Sequence, residues 1–89
     1  MIDSAKVILT FPCSFPIKAF GRSSADFELI VADIVRRHAP DVRDEAITCR
    51  SSGAGHYLAV TATITARSRE QLDALYMELT SHEQVLMVL

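Results

Sequence analysis

Four neighbouring residues, Gly21-Arg22-Ser23-Ser24, combine the types that could hold an anion: backbone N–H groups beside a glycine, two hydroxyls and a guanidinium, placed where a helix is about to open. The first N–H groups of a helix lack internal partners and its dipole is positive there, so a carboxylate or phosphate of a small metabolite is the chemistry this stretch suits. The plainer account, that Ser23 or Ser24 caps the helix, is the favoured one. His38, His56 and His82, with Cys13 and Cys49, are the remaining candidates for metal or nucleophilic work. None has the i, i+4 or C-x-x-C spacing of a metal site, and neither cysteine has a histidine within a motif, so no metal, cofactor or catalytic residue is expected. His38 suits a helix C-terminus as a cation, and free cysteines commonly pack as small hydrophobes. The serines lie in no strained nucleophile elbow, and the chain reads as non-enzymatic.

Composition bounds the rest. Eighty-nine residues make one domain, and a 49% hydrophobic, 22% charged mixture is ordinary for a globular fold. A net charge of -2 and a pI of about 5.8 provide no overall field for nucleic acid or anionic lipid. Asp3 and Lys6 interrupt the start, no run reaches membrane-spanning length, and two distant cysteines suit a reducing compartment; a cytoplasmic protein without a disulfide is expected.

The elements that must position these residues are organised around 57–66, where Leu58, Val60, Ala62, Ile64 and Ala66 alternate with Tyr57, Ala59, Thr61, Thr63 and Thr65. Period two without charge is a central strand with one aliphatic face and one threonine face. Before it, residues 1–14 form an N-terminal extension carrying a short apolar run, and 15–21 a first strand ending on Gly21, whose freedom permits a tight exit turn. Phe27, Ile30, Val31, Ile34 and Val35 make one apolar stripe of a helix over 24–38, with Ser23 and Asp26 as a capping box and Pro40 as a stop. A polar edge strand over 45–51 and the turn Ser52-Gly53-Ala54-Gly55 lead into the central strand. Ser68 and Gln71 cap a second helix bearing Leu72, Leu75, Tyr76 and Leu79, and 85–89 is a last strand apolar on both faces.

The order β-α-β-β-α-β predicts an α+β ferredoxin-like sandwich. Its antiparallel sheet has spatial order four, one, three, two, with both helices on one face. The other face collects Lys18, Phe20, Thr48, Arg50, Tyr57, Thr61 and Thr63, with either Leu86 and Val88 or their neighbours. Phe20, Tyr57, Thr61, Thr63 and Val88 are the candidate interface of a homodimer, since apolar open faces are commonly buried that way. The central strand lacks the basic, aromatic character of RNA-binding versions of this fold.

Several stretches together resemble the YbeD family of small, uncharacterised bacterial proteins: Phe11-Pro12, Phe15 with 18–21, Arg37-His38-Ala39-Pro40, Ser51-Ser52-Gly53 with Tyr57, Glu70-Gln71-Leu72 with Leu75-Tyr76, and Met87-Val88-Leu89. The resemblance covers nearly the whole chain. It implies an ACT-like fold over 15–89, similar to the regulatory domain of phosphoglycerate dehydrogenase, and hence allosteric or small-ligand sensing, with Gly21, Arg22, Ser23 and Ser24 as the candidate ligand site. It also implies an association with lipoate-attachment genes. ACT domains that bind amino acids carry an Asp-x-Pro-Gly-like turn after the first strand; here that turn reads Gly21-Arg22-Ser23-Ser24, and only the glycine is shared. A protein-binding adaptor that docks an enzyme on the sheet face is the alternative, and an RNA-binding module ranks behind it.

Overall fold

A computed structural model describes residues 9–89. It contains β1 (Cys13–Arg22), α1 (Phe27–His38), a 3-10 turn (Asp44–Ala46), β2 (Ile47–Ser52), β3 (Tyr57–Ala66), α2 (Arg69–Ser81) and β4 (Val85–Val88). The four strands form one antiparallel sheet in the order β2-β3-β1-β4, the expected ferredoxin-like arrangement. Within the apolar run of the N-terminal extension, Val7 and Ile8 lie outside the described residues, whereas Leu9 and Phe11 pack against the core and β1 begins at Cys13.

The alternation in β3 sets the layers. Its register places Phe15, Ile17 and Ala19 of β1, and Ile47 and Cys49 of β2, on the same face as Val60, Ala62 and Ile64. The helices supply Phe27, Val31, Ile34, Val35, Leu72, Leu75 and Leu79 to cover that face. Fully burying a side chain of this size contributes about 1.5–3 kcal/mol, so this layer dominates the stability of a small domain. Burial pushes the Cys49 thiol above its ordinary value, and the nearby Glu28 carboxylate adds to the shift. Protonated and packed against apolar neighbours, it behaves as part of the core.

The helix ends differ from the serine-capping expectation in one case and follow it in the other. Ser68 caps α2, its hydroxyl accepting from the Gln71 N–H at 3.0 Å. The Gln71 side chain reaches one residue further back than a capping box does, accepting from the Arg67 N–H at 2.6 Å and donating to the His38 carbonyl at 2.8 Å. It thereby ties the start of α2 to an orphan carbonyl at the end of α1. At α1 neither Ser23 nor Ser24 caps. The helix starts at Phe27 rather than 24, Asp26 is the N-cap without a side-chain bond, and the Ser24 hydroxyl donates to Asp26 Oδ1 at 3.0 Å.

A polar clasp closes the other contact between the helices. His38 Nε2 lies 2.7 Å from Glu78 Oε1, and Arg37 bonds the second oxygen. These two bonds hold the Glu78 carboxyl below its ordinary value of about 4.5, His38 contributing most. A carboxyl with a depressed folded pKa contributes its stability above the unfolded pKa and loses it as pH falls through the folded one. Glu78→Gln is therefore expected to melt up to about 5 °C below the parent at pH 7, the span of a partly exposed ion pair. The gap should narrow as the pH falls below 4.5 and close once it passes the lower value of the folded state. An equal gap at acidic pH would show that the residue acts through packing instead.

Candidate functional site

The uncovered face of the sheet is built by the residues between the core positions. Pairing across the strands produces two central rows: Met87, Phe20, Ala59 and Arg50 in one, and Lys18, Thr61 and Thr48 in the other. Leu89 extends the second row beside Lys18, the two exchanging backbone bonds of 2.8 and 3.1 Å. Arg22 stands opposite Tyr57, and Thr63 opposite Pro16. The side next to β4 is thus apolar, with Met87 at 49% and Leu89 at 63% exposure.

Val88, a candidate for this face, is not on it. It pairs with Ala19 on the helix side and packs against the core. The cause is a β-bulge: Val85 pairs with Gly21 and Met87 with Phe20, so Leu86 has no partner and both valines turn inwards. Met87 and Leu89 occupy the face in its place. The pairing parity of 85–89 cannot be counted through an extra residue, and the sequence contains no glycine there to signal one.

Charge on this face has one sign. Lys18, Arg22 and Arg50 stand on it, and no described Asp or Glu does. Elsewhere four arginines are matched, Arg36 with Asp44 at 2.5 Å, Arg67 with Asp41 at 2.5 Å, Arg37 with Glu78, and Arg43 with Glu45 at 3.9 Å, while Arg69 at the start of α2 stands without an acid among the described residues. Among the described residues Lys18, Arg22 and Arg50 have no carboxylate partner. A net charge of -2 for the whole chain conceals this segregation. Each charged residue was visible in the sequence; the alternation of the strands is what sorts them.

At one end of the face, Arg22, Ser24, Glu83, Gln84 and Leu86 line a cleft of about 280 Å³ between the exit of β1 and the entry of β4. The structure brings only two of the four candidate ligand residues to it. Gly21 is buried within β1 and Ser23 donates its N–H to the His56 carbonyl at 2.9 Å, which fastens the β1 exit to the β2–β3 turn. Gly21 is not a turn residue. A Cβ there would lie 2.3 Å from Phe27 Cε1 and 2.6 Å from the Gln84 carbonyl oxygen, so glycine is needed for the close passage of strand, ring and backbone. The histidines are dispersed: His38 in the helix clasp, His56 in the β2–β3 turn, and His82 accepting from the Gln84 N–H at 3.1 Å. Among the described residues no three His, Cys, Asp or Glu side chains are grouped to hold a metal ion. No helix among them is long and apolar enough to cross a membrane.

Residues 6–89 match the family described as a protein of unknown function, DUF493. This chain belongs to the DUF493 family. A UPF0250 protein of Chromobacterium violaceum is 42% identical over 89 residues, covering all of both chains. UPF0250 proteins of Nitrosomonas europaea and Neisseria meningitidis are 46% and 45% identical over 82 residues, each alignment covering 92% of this chain and 94% and 90% of theirs. The YbeD-like resemblance is thereby established, and the family is an uncharacterised one. In this DUF493 domain the two features with binding chemistry, the cationic sheet face and the cleft, share Arg22 at their border.

Proposed function

We propose that this DUF493 domain is a non-enzymatic regulatory module that acts by docking a protein partner on the open face of its sheet. The observation that supports this reading is the adjacency of Phe20, Met87 and Leu89 to cations without carboxylate partners. Exposed apolar area is unfavourable in water, and unpaired cations in one patch repel one another, so both features gain from being covered. A photo-crosslinking residue at Thr61, at the centre of the face, is expected to yield a discrete protein adduct in cells, whereas one at Asp73 on the exposed side of α2 is not. Adducts from Asp73 with none from Thr61 would refute the assignment of the working surface.

The cleft supports a second reading, an ACT-like sensor of a small metabolite. Arg22 and Glu83 place both signs of charge beside the Ser24 hydroxyl and the Gln84 amide, a combination suited to a small zwitterion or carboxylate. Such a ligand raises the melting temperature by mass action. A panel of amino acids and lipoate or octanoate derivatives is the test, with Arg22→Ala expected to remove any shift. A shift that survives that substitution would place the ligand elsewhere.

A further inference from the structure

We infer that the occupant of the sheet face is an acidic, amphipathic segment of another protein. This rests on the reading of that face as a docking surface and adds the chemistry of the partner. Apolar and cationic residues stand side by side on the face: Met87 and Phe20 lead a row that ends on Arg50 of β2, and Lys18, beside Leu89, lies on the neighbouring row. Strands lie about 4.8 Å apart, so three spacings separate Met87 from Arg50 by roughly 14 Å. A helix about 10–12 Å across fits that width, with its apolar stripe on Phe20 and Met87 and its carboxylates within reach of Lys18 and Arg50.

Charge selects among occupants. A second copy of this chain laid face to face brings Lys18, Arg22 and Arg50 against cations of the same kind, and the described strands contribute no Asp or Glu to answer them; the acid at the border is Glu83, in the cleft beside Arg22. Like charges set opposite one another oppose association. A nucleic acid supplies negative charge but leaves the aliphatic edge at Met87 and Leu89 without a counterpart. The Tyr57 ring is also committed to packing over Gly53, where a Cβ would meet it at 2.8 Å, which leaves Phe20 as the aromatic ring central to the face. Base stacking on strands uses two or three such rings. An acidic protein segment meets both the apolar edge and the cations.

The test titrates the isotopically labelled protein with three synthetic amphipathic helical peptides of equal length and identical apolar stripe, carrying Glu, Gln or Lys at the polar positions. The Glu peptide is expected to bind, to shift the amides of Lys18, Phe20, Arg50 and Thr61, and to weaken as salt is raised. The Lys peptide should bind about ten-fold more weakly, and Lys18→Glu or Arg50→Glu should each weaken the Glu peptide about ten-fold. Both residues are exposed, so the reversals leave the fold intact, and Arg69→Glu on α2 is the control expected to change nothing. Equal binding of the Glu and Gln peptides at the face would overturn the acidic partner while leaving the docking surface standing. Shifts that map elsewhere, or none, would overturn the docking surface itself. Tighter binding of a single-stranded oligouridine, or a stable dimer in sedimentation whose contacts map to this face, would assign the face to nucleic acid or to a second copy and overturn the inference.

Discussion

Replacing Val60 with aspartate is expected to abolish folding, while the same replacement at Thr61, one residue along, is expected to leave the protein folded. Val60 has no exposed surface and sits between Ala19 and Cys49 under the helices. A carboxylate there has no cation within the core and must either stay charged in an apolar layer or take up a proton at a cost of several kcal/mol. A domain of this size is stable by only about 4–13 kcal/mol, and loss of the valine's packing adds to the deficit. Thr61 lies on the other face between Lys18 and Thr48, so an aspartate there meets a cation across the strand pair, a favourable contact. Circular dichroism and a denaturant melt check both. The Thr61→Asp protein should also lose affinity for an acidic peptide, because it cancels part of the positive face. Equal unfolding by the two substitutions would show that the faces are assigned wrongly.

Gly21→Ala carries the second large effect. The added methyl would fall at 2.3 and 2.6 Å from two atoms of the Phe27 ring and 2.6 Å from the Gln84 carbonyl oxygen, distances that real Cβ atoms do not tolerate. Phe27 is fully buried, and Gln84 belongs to the backbone leading into β4, so neither can yield cheaply. Overpacking of this kind costs about 1–3 kcal/mol, which lowers the melting temperature by roughly 10 °C in a domain this small. Phe27→Leu in the same chain should restore only part of the loss, since the backbone clash remains. A melting point for Gly21→Ala equal to that of the parent would mean that β1 and β4 are not held together as described.

Much of this was legible in the residues because it depends on local rules. Strand β3 spans Tyr57–Ala66, as its alternation predicts, and Ser68 caps α2 as its spacing with Gln71 predicts. Each is a matter of period or of one side chain and a nearby N–H, so no distant contact can easily reverse it. Where a distant contact competes, the local rule fails. Ser24 has the chemistry of a cap, but its hydroxyl lies 3.0 Å from Asp26 Oδ1 and 3.4 Å from Gln84 Oε1, and α1 starts three residues late. Gly21 has the look of a turn residue, but the room it leaves is filled by Phe27 from the next element.

The sequence by itself determined the order of the elements, the two faces of β3 and hence the ferredoxin-like sheet, because hydrophobic alternation of period two permits one buried face and no other. Only the tertiary structure decided that β4 is bulged, that Val88 turns inwards while Met87 and Leu89 turn out, and that Lys18, Arg22 and Arg50 meet on a face without acids. The physical reason is that a bulge and a shared face are properties of paired strands. The pattern along one strand states which residues alternate, and only the ladder between strands states which of them stand side by side.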